Sequence, residues 1–156
     1  MTDKLAQTFW NRIDDVSAGM LAARDAPPRP MAQTARKDDG ALWFITAQGT
    51  DIAEAARAGS EATFTAACAH SKLYATVKGK LSVETSKEKL DDIWSPMAAV
   101  WFEDGRQDDD IRLVKMRLTE GEVWATDGTA KSLYEMAKAG MSESKPDLGD
   151  HGMVRF

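Results

Sequence analysis

The sequence predicts an α+β fold in which an antiparallel barrel of about six strands carries three or four short helices. Three observations carry that prediction. The β-patterned segments follow one another without strict alternation with helices. One of them, residues 73–83, holds a single parity over its whole length. Helical periodicity is confined to short stretches near the start, the middle and the end.

Leu5, Phe9, Trp10, Ile13, Val16, Met20 and Leu21 recur at helical spacings. They predict an amphipathic helix that gives way near Gly19 to a first strand. Ala26-Pro27-Pro28-Arg29-Pro30 is a turn or strand entry, because three prolines remove three donors. Gly40-Ala41-Leu42-Trp43-Phe44-Ile45-Thr46 is apolar on both faces and reads as a strand covered on both sides. Residues 51–58 are Ala-rich and predict a short helix, with Thr50 as N-cap and Gly59 at C′.

Ala62, Phe64 and Ala66 alternate with Thr63 and Thr65, the pattern of a half-buried strand. Leu73, Ala75, Val77, Leu81 and Val83 continue it in the next strand, with a bend or bulge at Gly79. Leu90, Ile93, Trp94, Met97 and Trp101 return to helical spacing, with a restart at Ser95-Pro96. A strand near 111–118, a turn at Glu120-Gly121 and a last strand at 123–125 follow. Residues 131–139 predict a closing helix. The tail from Gly140 is polar and expected to be loosely held.

The 156 residues fit one domain, and 43% apolar residues fill one core. A net charge of −5 argues against broad nucleic-acid binding, which needs a surplus of cations to displace counterions. The single cysteine, Cys68, forms no internal disulfide, so a reducing compartment is expected and with it a cytoplasmic location. Its apolar neighbours suggest a buried small side chain rather than a reactive thiol. No apolar run approaches the ~20 residues that span a bilayer.

Generic chemical motifs are nearly absent. There is no P-loop, no Gly-x-Gly-x-x-Gly and no Cys-x-x-Cys. The two histidines, His70 and His151, lack the spacing of a zinc site, and no metal is expected. The run Asp108-Asp109-Asp110 reads as a solvated loop.

Several short strings are informative in their order. They are Phe9-Trp10, Arg29-Pro30-Met31, Leu42 to Thr46, Gly49-Thr50-Asp51, Tyr74 to Gly79, Ile93 to Pro96, Trp101-Phe102 with Gly105-Arg106, and Glu122-Val123-Trp124. In this order the chain resembles the general stress protein family of FMN-binding split β-barrels, within the pyridoxamine 5′-phosphate oxidase-like superfamily. The resemblance spans about residues 5–127.

It implies a six-stranded antiparallel Greek-key split β-barrel with short flanking helices. It further implies a homodimer that holds FMN in the groove between subunits. Residues 1–140 would be the FMN-binding domain and 141–156 the tail. By resemblance, Arg29, Pro30 and Met31 lie along the flavin, and Ile45 and Thr46 sit on the neighbouring strand. Thr50 and Asp51 open a helix near the phosphate, while Trp101, Phe102 and Trp124 wall the groove or reach the partner's flavin.

A flavin needs flat apolar walls, a few polar partners and positive potential at its phosphate. Arg29 suits a bidentate clamp on phosphate. Asp51 and Ile52 stand where many relatives carry Lys or Arg, and a carboxylate there repels a dianion. Arg36, Lys37, Lys78 and Lys115 are the other candidate cations. Trp43 and Phe44 would be core residues in any barrel, and the Trp94/Trp101 stripe suits a core or dimer contact equally.

Flavin-dependent redox chemistry on a small molecule is the activity the resemblance implies, and no catalytic acid or base stands out. The alternative is a non-catalytic dimeric module that holds flavin or another flat ligand. Haem in a related barrel is a third reading, with His70, Tyr74 and His151 as axial candidates.

Overall fold

Leu5, Phe9, Ile13 and Val16 are buried, so the apolar stripe of the first segment faces inward. They anchor α1, Thr2–Ile13, in the computed structural model, which describes residues 2–126 and 149–156. Beyond Ile13 the chain turns. Asp15 N–H donates to Arg12 O and Val16 N–H to Ile13 O. The strand expected near Gly19 is β1, Gly19–Ala23.

The prolyl segment is β2, Ala26–Met31, and it lies outermost in the sheet beside β1. That position suits three prolines, because an edge strand loses fewer ladder bonds to missing donors. β3 (Thr34–Arg36) and β4 (Ala41–Ala47) pair at the other end. Leu42 and Phe44 face the main core, whereas Ala41 and Trp43 face a second cluster with Ile93 and Leu113. The strand is therefore covered on both sides, as its apolar run requires.

α2, Asp51–Arg57, starts at Thr50, whose hydroxyl accepts from Ala53 N–H at 3.2 Å. Gly59 follows the helix at φ +68°, a conformation that favours glycine at C′. β5 (Glu61–Cys68) and β6 (Leu73–Glu84) alternate buried and open positions as their sequences predict. α3, Lys87–Ile93, and α4, Pro96–Ala99, cover the helical stretch expected around 90–101 and break where the restart is expected. The restart at Ser95 is real, with Ser95 Oγ accepting from Ala98 N–H at 3.3 Å.

Two sequence expectations fail, each on its own element. No turn exists at Glu120-Gly121, because residues 111–126 form a single strand of 16 residues, β7 (Ile111–Thr126). Gly121 is small for a different reason. A methyl group there would lie 2.7 Å from Val77 Cγ1 and 2.8 Å from Thr76 O, so β6 and β7 meet too closely for a side chain. The register shifts opposite Lys78 and Gly79, but the extra residue is Thr119, so the bulge expected on the Gly79 strand lies on its partner β7.

The tail is the second correction. β8, Gly149–Arg155, pairs antiparallel with residues 120–126 of β7. Val154 is buried, and the Phe156 ring meets Phe9 and Trp10 edge to face at 5.1 and 5.6 Å. This end is held by ladder bonds and aromatic packing rather than loosely. The closing helix expected at 131–139, and the first part of the expected tail, fall outside the described residues.

The sheet order is β2-β1-β5-β6-β7-β4-β3, with β8 added on β7, and every pairing is antiparallel. Among the described residues the strand count is eight rather than six. β2, the short β3 and β8 join the sheet, and two expected strands merge into β7. One edge of β7 pairs with β6, while the other is shared by β4 and β8. Phe9, Phe44, Phe64, Leu21 and Leu73 fill the interior under this curled α+β split barrel. Burying each such side chain contributes about 1.5–3 kcal/mol. No helix among the described residues is long and apolar enough to cross a membrane.

Candidate functional site

Where β2 and β4 approach the α3–α4 arm, the barrel leaves an open cavity of about 450 Å³, within the usual range for small-molecule sites. Pro30 and Met31 line it from β2, and Ile45, Thr46 and Ala47 from β4. Thr50 lines it at the mouth of α2, and Trp101 and Phe102 close it from the arm. These positions come from four separated stretches of sequence. The fold brings together Pro30, Met31, Ile45, Thr46, Thr50, Trp101 and Phe102, all named from the sequence.

Each wall has a physical origin. Trp101 is 78% exposed yet faces the cavity, so its ring offers a flat apolar surface that the core does not consume. Phe102 is buried and leans on Trp94 at 6.2 Å between ring centres, which fixes the arm. Thr46 Oγ1 lies 3.0 Å from Thr50 Oγ1. Thr50 donates its one hydroxyl proton to Ala47 O at 2.9 Å, so Thr46 is the donor between the two hydroxyls. The lone pairs of Thr46 are left to accept from a ligand.

Arg29 and Asp51 do not line the cavity. Each is one residue from a lining position, and they meet each other, with Arg29 Nη2 at 2.9 Å from Asp51 Oδ2. Arg29 Nε–H is buried with no acceptor among the described residues. Trp124 also stands apart. It sits on β7, stacked on His151 of β8 at 4.8 Å and 6°, with His151 Nε2 2.8 Å from Glu122 Oε2.

Trp43, Thr34, Ile93, Ser95 and Ala98 also line the cavity and were not named as site residues. Trp43 belongs to both core and site: its ring is buried, and one part of it reaches the cavity wall. Trp43 Nε1–H donates to Asp39 Oδ2 at 3.1 Å, and Lys89 and Lys115 stand over the ring at 5.2 and 5.5 Å. The signal for Ser95 and Ala98 was present in the Ser-Pro restart, which bends the arm around the opening.

Hydrogen bonding from Lys89 holds the Asp39 carboxyl below its ordinary range, and Arg36 does the same for Asp92. Those pairs pin α3 to the β3–β4 hairpin and so keep the arm in place. Cys68 is half-buried rather than enclosed, and the Ser71 hydroxyl at 3.3 Å lowers its thiol. Asp108 and Asp110 accept loop bonds from Asp110 N–H and Gln48 Nε2. No group of three or more His, Cys, Asp or Glu side chains gathers to hold a metal among the described residues.

An antiparallel split barrel with an apolar cavity between edge strand and arm is the class of protein these features define. The chain belongs to the pyridoxamine 5′-phosphate oxidase-like family, whose sequence profile matches residues 4–147. A solved structure from Jannaschia sp. CCS1, provisionally described as general stress protein 26, is 39% identical, with TM-score 0.89 and 100% of each chain covered. The general stress FMN/FAD binding protein of Xanthomonas citri shares the fold at 23% identity and TM-score 0.71, covering 82% of this chain and 93% of that one. A general stress family protein from Xanthomonas campestris pv. campestris, also provisionally described, does so at 22% and 0.70, covering 83% and 92%. No curated protein matches the chain.

Proposed function

We propose that this chain binds FMN in the cavity between β2, β4 and the α3–α4 arm. The carrying observation is that Pro30, Met31, Ile45, Thr46, Thr50, Trp101 and Phe102 converge there from separated segments. The residues fit the group. A flat tricycle suits walls of Trp101, Ile45, Met31 and Pro30, the free lone pairs of Thr46 suit a polar ring edge, and the partly exposed Arg29 side chain, one residue from the wall, suits an anionic tail. The family likeness and a neighbour described as FMN/FAD binding support the choice of a flavin.

When bound, the flavin would supply hydride or electron transfer to a small molecule. This chain's own residues bind and orient it. Trp101 and Phe102 exclude water from one side, and Thr46 accepts a hydrogen bond. We place the protein in the cytoplasm, consistent with its single cysteine.

We further infer a homodimer. Trp101 and Val100 expose apolar surface at the arm, and Met20, Trp124 and Met153 do so on strands β1, β7 and β8. Such exposure suits a second copy that covers the open cavity. Trp124 would then be a contact to the partner rather than to this chain's own cavity. Sedimentation at micromolar concentration is expected to give a dimer, and a monomer would refute this.

One observation favours the non-catalytic alternative. The described residues lining the cavity include no titratable side chain that would serve as acid or base. Absorption spectra with and without added FMN test binding, and NAD(P)H consumption with varied acceptors tests turnover. Bound flavin with turnover supports the oxidoreductase, bound flavin without turnover supports the module, and no bound flavin refutes the oxidoreductase and leaves the module only another flat ligand.

A further inference from the structure

We propose that Asp51 sets the cavity's choice between phosphorylated and unphosphorylated flavins, by competing with the ligand's phosphate for Arg29. The inference rests on the flavin reading above and deepens it. Arg29 stands one residue from the cavity wall at Pro30, and Asp51 one residue from the wall at Thr50. Their side chains meet at 2.9 Å through Nη2 and Oδ2, so the Arg29 guanidinium beside the cavity is already paired with a carboxylate. The Nε–H of the same group is buried and has no acceptor among the described residues. That donor is closed to solvent, so a phosphate would engage the exposed part of the guanidinium side chain instead.

Two charges then act on an incoming dianion. Arg29 attracts it, and Asp51, held against Arg29, repels it at a similar range. A flavin ending in a neutral ribityl chain feels neither term strongly. Asp51 therefore lowers affinity for FMN while leaving riboflavin nearly unchanged, and the cavity favours the phosphate less than Arg29 alone would make it. Both side chains are partly exposed, at 38% and 51%, so the effect is moderate and screened by salt.

Fluorescence titration of FMN and riboflavin into wild type, Asp51→Asn, Asp51→Ser and Arg29→Gln, at low and high salt, tests the proposal. Thermal unfolding reports that each variant is folded. Either Asp51 variant is expected to tighten FMN about tenfold, or about 1.4 kcal/mol, with riboflavin moving less than about twofold. That gain shrinks at high salt, and Arg29→Gln brings FMN affinity down towards that of riboflavin. Equal shifts for both flavins, no shift for either, or an unchanged FMN affinity in Arg29→Gln overturns the proposal and leaves the flavin reading standing. Failure of all the proteins to bind either flavin overturns that reading and this proposal together.

Discussion

Lys89 Nζ lies 2.8 Å from Asp39 Oδ2 and 5.2 Å from the centre of the Trp43 ring, so one ammonium ties α3 to the strand that walls the cavity. The Asp39 carboxyl is held below its ordinary value of 3.8, chiefly by hydrogen bonding from Lys89. A carboxyl depressed in the folded state adds stability in full above the unfolded value. The contribution is lost as pH falls from that value through the folded one. Lys89→Met is expected to cost about 1 kcal/mol at neutral pH. It should also flatten the loss of stability below about pH 4, which urea unfolding at several pH values measures. An acid limb as steep as that of wild type would contradict the assignment.

Trp101 separates a ligand wall from a core residue. Being 78% exposed, its removal should change stability by less than about 0.5 kcal/mol. Trp101→Ala should nonetheless weaken FMN by about 1–2 kcal/mol, because a stacking surface is lost. Calorimetric titration beside thermal unfolding reads both. Equal FMN affinity in wild type and variant would remove Trp101 from the site.

Gly121 predicts a packing cost rather than a turn effect. Gly121→Ala drives a methyl against Val77 Cγ1 and Thr76 O, and should destabilise the fold by about 1–3 kcal/mol. Denaturant unfolding measures it. A neutral result would mean that β6 and β7 separate freely at this point.

Phe156 anchors β8. Its ring contacts Phe9 and Trp10, and its N–H donates to Thr119 O at 3.0 Å. Phe156→Ala should cost about 1–3 kcal/mol, below the range for a fully buried ring because this one is half-buried. Faster amide exchange along β8 than along β6 in that variant would trace the loss to this strand.

The readable parts of the fold were those whose pattern is local. Alternation in β5 and β6, the Thr50 cap and the edge placement of three prolines all follow from neighbouring residues. β8 was hidden because Gly149-Asp150-His151-Gly152 is polar and Gly-rich, and only Val154 of the strand is buried. The continuity of β7 was hidden because Gly121 looks like a turn residue in sequence, and its reason lies on the neighbouring strand. The cavity walls were legible through resemblance alone. Arg29 and Asp51 were each read against a phosphate, and their distance from one another is a tertiary fact that neither residue's neighbours encode.

The central claim is that the cavity between β2, β4 and the α3–α4 arm is a flavin site. Equilibrium titration of the purified, flavin-stripped protein with FMN, followed by calorimetry and visible absorption, addresses it most directly. One FMN per chain, saturable and accompanied by a shifted flavin spectrum, is the expected result. No heat and an unshifted spectrum at excess FMN would contradict it.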